Sequence, residues 1–369
     1  SKPVEFRKKE LAAVREKYGG EVGARFGPTL AAEHLCSGDG LEVNAETLRR
    51  WMLEAGLWSR ARKHKPHRQR RERRRHFGEL VQLDGSVHAW FEERGSKCFL
   101  MNMVDDATGR TRAVFSEQES IWAAVSVLRS WVNKYGIPKA LYTDWKNVYV
   151  VAPTPQQELR GEAPLTQFGG MCAKLGIRII AANSAQAKGR VERNHGTHQD
   201  RLIKKMRLKR VGSIAEGNRF LPAYLADHNR RFMVSPADAE DYHTALPKDL
   251  NLDSVFRLEE TRTISNDWVV SYKGRTFQIQ AQSRNYAPAR GKVTVCEWED
   301  SRIKIYYRER EVRWVEIQHQ PSKEKTIAHS RAAVHRTRPS QPGADHPWRK
   351  GLQDRAPRQR GIARKSKGE

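Results

Sequence analysis

Between residues 78 and 208 the chain switches repeatedly between two hydrophobic periods, and this alternation constrains its fold more than any other feature. GELVQLD (78–84), KCFLMNMVDD (97–106), TRAVFSE (111–117) and ALYTD (140–144) are short β-rich runs. SIWAAVSVLRSWVNKYG (120–136) repeats apolar residues at the helical period and stops at Gly136, with Pro138 just beyond. IRIIAA (177–182) reads as one more strand, and GRVERNHGTHQDRLIKKMRL (189–208) as a long helix. Asp105-Asp106-Ala107-Thr108-Gly109 carries hairpin-turn chemistry between the second and third strands. The succession predicts an α/β fold, a mixed sheet with helices on both faces.

The flanks have a different character. In PTLAAEHLCSGDGLEVNAETLRRWMLEAGLW (28–58), Leu30, Ala31, His34 and Leu35 predict a short amphipathic helix. A turn at Ser37–Gly40 follows, and a second helix opens at Asn44 or Ala45 with Leu48, Trp51, Met52 and Leu57 on its apolar face. Helix, glycine turn, helix is the outline of a helix-turn-helix, or of an ordinary helical hairpin. In the first case Thr47, Arg49 and Arg50, with Glu46, are the reading side chains. Residues 60–75, RARKHKPHRQRRERRR, hold ten Lys or Arg and a single Glu. Charges so dense repel one another, which predicts a solvated arm, with Arg70, Arg71, Arg73 and Arg74 available to track phosphates. The β-rich runs WVVSYKGRTFQIQ, GKVTVCEW and RIKIYYR predict a small β-barrel. The Pro-, Ser- and Arg-rich end predicts a disordered tail. The expected units are a helix-turn-helix region (1–59), a basic linker (60–76), a catalytic core (77–245), the barrel (255–315) and the tail (316–369).

Lys+Arg number 68 against Asp+Glu 43, a formal net charge of +25. An excess that large repels itself and points to nucleic acid, whose phosphates release counterions when neutralised. The four cysteines, Cys36, Cys98, Cys172 and Cys296, form no C-x-x-C pair. That argues against a zinc ribbon or a secreted disulfide framework and for a reducing cytoplasm. No apolar run reaches the length of a membrane span.

Three acids stand where metal-dependent phosphodiester chemistry would use them. Asp84 ends the first strand before a small Gly-Ser pair, Asp144 ends the fourth, and Glu192 lies early on the long helix. They are 60 and 48 positions apart in sequence, yet neighbouring strands and a helix packed across their ends would let them meet. Two divalent ions roughly 4 Å apart can activate a nucleophile and stabilise a leaving oxygen, and Mg²⁺ needs only a few carboxylates because it keeps waters. Lys188 precedes Glu192 by one turn, and with Arg190 and Arg193 it could hold a DNA phosphate; Lys188 could equally form an i,i+4 surface pair with Glu192. His195 and His198 share that helix, as substrate contacts or packed histidines, and are not selected as ligands. Trp145 could stack on a flipped base or sit at the rim of the core.

FGPTLAAEHL, RRWMLEAGLW, RRHFGELVQLDGSVHAWFEERG, MVDDATGR, ALYTDWKNVYV, LTQFGGMCAKLGIRIIAANSAQAKGRVERNHGTHQDRL and ADHNRRF lie between residues 26 and 232. In these stretches the chain resembles bacterial insertion-sequence transposases of the retroviral-integrase superfamily, the ISNCY-type group in particular. The resemblance implies a ribonuclease H-like core in which Asp84, Asp144 and Glu192 are the metal-binding catalytic triad, with two Mg²⁺ or Mn²⁺ and no small-molecule cofactor. It implies binding of terminal inverted repeats by N-terminal helices, 3′-end cleavage, strand transfer into target DNA, and a homodimer or larger assembly on DNA in the bacterial cytoplasm, associated with the nucleoid. Departures are visible. Asp144 and Glu192 have 47 residues between them, more than retroviral integrases place between the matching acids, and APTPQQELRGEAP (152–164) accounts for the surplus as a loop at the rim. No His-His-Cys-Cys zinc module is present. The chain opens on Ser-Lys-Pro, and the family usually carries further DNA-binding helices there. The alternatives are a non-catalytic DNA-binding protein on the same fold and a structure-selective ribonuclease H-like nuclease.

Overall fold

A computed structural model describes residues 4–18, 26–59, 71–144, 148–149, 151–152, 154–160, 164–182, 188–281 and 288–317. Most of the basic run including Arg70, Trp145, and the tail from 318 onward lie outside the described residues.

Three helices open the chain: α1 (Val4–Lys17), α2 (Pro28–Asp39) and α3 (Ala45–Glu54). The sequence reading had not anticipated α1. Proline at its first turn starts α2. The helix runs through the expected turn at Ser37 and ends at Gly40, whose φ of 64° suits glycine and whose N–H bonds the Leu35 carbonyl. Asn44 caps α3 by accepting from the Glu46 N–H at 2.8 Å. Leu30, Leu35, Leu48 and Met52 bury against Val14, Tyr18 and Phe26 in a small core. These helices are fastened to the rest of the chain by Glu33. Its carboxylate takes both guanidinium nitrogens of Arg201, at 2.8 and 3.0 Å, and pairs with Arg231 at 3.1 Å.

The central elements follow the predicted succession: β1 (Val81–His88), β2 (Cys98–Asp105), β3 (Thr111–Ser116), α4 (Ile121–Tyr135), β4 (Ala140–Thr143), α5 (Pro155–Leu159), α6 (Gln167–Lys174), β5 (Arg178–Ala181), α7 (Gly189–Leu208) and α8 (Ile214–Phe232). The sheet order is β3-β2-β1-β4-β5, with β1–β3 antiparallel and β4 and β5 parallel to β1. α5 lies inside the polar stretch expected to be loop, its Thr154 and Gln157 forming a capping box. Alternation along the strands divides the residues between two faces. Val81, Leu83, Met101 and Met103 join the core under α4 and α6. Cys98, Leu100, Ala113 and Phe115 join a second core with Leu202, Met206, Leu221 and Leu225 of α7 and α8. Gly217 lets α8 lie against β3, since a Cβ there would come within 2.8 Å of the Phe115 ring.

After α8 the chain returns beneath the sheet. Tyr242 bonds back to Phe77 and Thr244 to Ile137, and the Trp131 indole donates to His243 at 3.0 Å. This core continues past residue 245 through Leu252, Val255 and Phe256, the first two on α9 (Leu252–Val255). The remaining strands are β6 (Leu258–Thr263), β7 (Val269–Tyr272), β8 (Arg275–Ile279), β9 (Lys292–Glu297), β10 (Ile303–Tyr307), β11 (Arg310–Val312) and β12 (Trp314–Ile317). The expected barrel is not closed among the described residues. A four-stranded sheet, β11-β10-β9-β6, and a three-stranded sheet, β12-β8-β7, share one apolar core. The chain leaves the first sheet after β6 and begins the second at β7 without a ladder between them. No helix among the described residues is long and apolar enough to cross a membrane.

Candidate active site

On β1 the odd positions face α4, so Gln82 and Asp84 turn toward α7. Asp84 does not end its strand, as the sequence suggested, but is the fourth residue of an eight-residue β1, paired with Asn102 of β2. What opens space beside it is the brevity of β4, which pairs with β1 only at Val81 and Gln82. Asp144 follows β4 directly and reaches the same opening from the neighbouring strand.

Between the two carboxylates stands an ammonium. Lys188, at the start of α7, bonds Asp84 Oδ1 at 2.7 Å and also Asp144 Oδ1. Its residue is only 5% exposed. On the other side of Asp84, His195 Nε2 lies 3.6 Å from Oδ2, and neither ring nitrogen of this buried imidazole has a hydrogen-bond partner. Burial alone would raise the pKa of Asp84, but the adjacent His195 and the charge of Lys188 outweigh it and hold the carboxyl below its ordinary value. Buried Tyr149 has its phenol pKa raised by burial first and then by the charges of Glu119, Asp84 and Asp144. Glu119 therefore shares this neighbourhood; a Cβ on Gly85 would lie 3.6 Å from its Oε1. Glu119 was not selected from the sequence, because an acid between a strand and a helix reads there as a cap.

The other selected residues divide sharply. Glu192 is on the first turn of α7 but exposed, and among the described residues no three acidic, histidine or cysteine groups are close enough to hold a metal. Lys188 does not make the i,i+4 pair with it. Arg190 is not an exposed DNA contact. It pairs with fully buried Asp106 at 2.8 Å and reaches the Arg71 carbonyl at 3.1 Å. The end of the basic run, residues 71–75, is exposed as expected of an arm, but it is anchored to the turn after β2. Arg71 also pairs with Asp106, the Arg74 N–H bonds Asp106 Oδ2 at 2.8 Å, and Arg73 bonds the Ala107 carbonyl at 3.0 Å. The turn attracts these cations because Asp106 is buried and needs compensation. Arg193 and Arg50 are exposed; Thr47 and Arg49 are half-buried, Arg49 paired with Glu46.

His195 and His198 are both buried, His195 beside Asp84 and His198 packed between α7 and α8. His198 Nδ1 meets the Tyr224 hydroxyl at 2.9 Å, and its ring lies tilted with its centroid 4.6 Å from that of His228, which faces Asn194. Burial drives His198 well below the ordinary histidine value and His228 to about 4. Both rings are neutral inside the fold, whereas the unfolded chain protonates them near pH ~6.5. The unfolded state then binds more protons, so stability is full above that pH and is lost as pH falls toward 4. The urea midpoint should drop between pH 7.5 and 5, and His228→Gln should flatten that dependence. A midpoint independent of pH would contradict neutral burial.

No protein-family model matches this chain. Among curated proteins, "Putative transposase y4bF" of Sinorhizobium fredii is 45% identical over 237 residues, 64% of this chain and 50% of that one. The transposase for insertion sequence IS1202 of Streptococcus pneumoniae is 35% identical over 163 residues, 44% of this chain and 34% of that one. The chain is similar in sequence to these two transposases, and it spans about half the length of the first and a third of the second. Similar solved structures include a simian T-cell lymphotropic virus intasome (15% identity, 78% of this chain and 99% of that one, TM-score 0.36) and the HTLV-2 integrase catalytic core domain with magnesium (17%, 39% and 82%, TM-score 0.29).

Proposed function

We propose that the chain is the catalytic part of an insertion-sequence transposase, with a ribonuclease H-like core that cuts 3′ ends at terminal inverted repeats and joins them to target DNA. The observation that supports this most is the meeting of Asp84 and Asp144, from neighbouring strands, around one positive charge in the opening where β4 stops short of β1. Two carboxylates converging on a single cation suit a hard divalent ion, and Mg²⁺ completes its shell with water and substrate oxygens. Asp84 and Asp144 would hold it, with exposed Glu192 one turn beyond Lys188 supplying the third carboxylate. Bound there, a pair of such ions would ease deprotonation of the attacking group and neutralise the leaving oxygen. Water attacks the phosphodiester at the element end and frees a 3′-hydroxyl, which then attacks a target phosphate. Hydrolysis consumes one phosphodiester and leaves a 5′-phosphate on the released strand, whereas joining breaks one target phosphodiester as it forms another, so ATP is not needed. Both ends must be held together, which calls for a dimer or larger assembly, working on DNA in the bacterial cytoplasm.

Helices α2 and α3 would read the repeat, with Arg50 facing the DNA and Arg193 touching phosphate near the cut. Arg50→Ala should weaken binding and lower the slope of log K against log salt by about 1. Fluorescence anisotropy on repeat DNA would read this, and an unchanged slope would remove α3 from the interface.

The deciding experiment incubates labelled repeat DNA and plasmid with the protein and Mg²⁺ or Mn²⁺. Joined products, lost with Asp84→Asn or Asp144→Asn, support a transposase. Cleavage without joining indicates a structure-selective nuclease, and sequence-specific binding without reaction a non-catalytic binder.

A further inference from the structure

An acid pair this close needs a cation at all times. Two adjacent carboxylates repel one another, and a buried ammonium without counter-charges carries a large desolvation cost. Lys188 solves both problems at once, at 5% exposure, with Asp84 Oδ1 and Asp144 Oδ1 as its partners. Those are also the oxygens that a divalent ion would take. A metal bonds oxygen at ~2.1 Å with a full shell of its own, so ion and ammonium exclude each other. The pocket is not closed around lysine. The His195 imidazole, 6% exposed, points at Asp84 Oδ2 from 3.6 Å with both nitrogens unbonded, leaving polar capacity unused in this arrangement. Lys188 precedes the helix proper as the N-cap of α7, so its four-carbon stem can swing without unwinding a turn.

We infer that Lys188 is a displaceable resident cation, which holds Asp84 and Asp144 together without metal and is exchanged for a divalent ion, its freed ammonium then meeting a DNA phosphate. This rests on the metal-binding reading above. It deepens that reading by making metal loading and the grip on DNA one event. No covalent bond changes; one positive charge leaves the acid pair as another enters.

The test uses the full chain and Mn²⁺ alone, followed by titration of the free ion's EPR signal. Lys188→Met removes the competitor with little change in length, so Mn²⁺ should bind roughly tenfold tighter or better than to the native chain. Equal or weaker binding overturns the exchange while leaving the metal site standing. If neither protein binds Mn²⁺, the site and the exchange fail together. A second measurement needs no variant. In native protein labelled with ¹⁵N-lysine, one ammonium protected from solvent exchange should lose that protection on Mg²⁺ addition. Retained protection overturns the exchange. With Ca²⁺ present, the salt slope for DNA binding should be lower by about 1 in Lys188→Met than in the native protein, and equal in EDTA. Equal slopes under both conditions would exclude the phosphate contact.

Discussion

Asp144→Asn protein should bind repeat DNA much as the native chain does, yet cleave and join it at least about 10³-fold more slowly. The substitution keeps shape and one oxygen but removes the charge that fixes a cation beside Asp84. Metal stabilisation of a phosphoryl transition state is worth several kcal/mol, and about 4 kcal/mol is already a thousandfold in rate. Asp144 is a third exposed at the mouth of the opening, so the fold should tolerate the change. Asp84→Asn should lose as much activity, but with some loss of stability, since Asp84 is more buried and its lowered pKa marks a charge that the native state favours. Single-turnover cleavage and joining with Mn²⁺, read beside urea melts of both variants, separates the two effects. Joining that survives Asp144→Asn would move the active site elsewhere.

The largest effect on stability is expected at Asp106, which takes no part in the chemistry. Its fully buried carboxylate accepts from Gln82 Nε2, Arg190 Nε and the Arg74 N–H, each at 2.8 Å, and pairs with Arg71. Asp106→Ala leaves the mostly buried Arg190 charge without a partner and Gln82 Nε2 without an acceptor. Removing one partner of a buried ion pair typically costs about 3–5 kcal/mol. In a chain of this size that is a melting temperature lower by roughly 10 °C. Activity should fall as well, because Gln82 also accepts from the Val191 N–H at 3.1 Å, so the first turn of α7 is registered on β1 through this same cluster. A loss near 1 kcal/mol would mean that the arginines find water instead.

The sheet was legible because period-two alternation and the Asp105–Gly109 turn are local signals, and Asp84 and Asp144 fell into place once the strand succession was fixed. Other features depend on partners distant in sequence. A run with ten cations among 16 residues read as solvent-facing, and nothing within it reveals that Asp106, more than 30 residues on, accepts from Arg71, Arg73 and Arg74. Arg190 and Lys188 looked like surface cations on a helix, but Lys188 is held by Asp84 of β1 and Asp144 after β4, and Arg190 by Asp106 in the turn between β2 and β3. Alternating strands predicted the β-rich end, but the closed barrel expected of it is not seen among the described residues, since closure depends on which edges pair. The outward rotamer of Glu192 likewise has no local signature, for a first-turn glutamate is at home in water or on a metal.

The grip of Arg201 on Glu33 has a consequence for distance. Lys188 and Arg201 lie 13 residues apart on one helix run, which at 1.5 Å per residue spaces them by ~20 Å. One end of this rod meets the acid pair and the other is bolted to α2. Helix α7 is thus a caliper, and the separation between any sequence held by the N-terminal helices and the bond presented to Asp84 is set by a length of helix rather than by a loop.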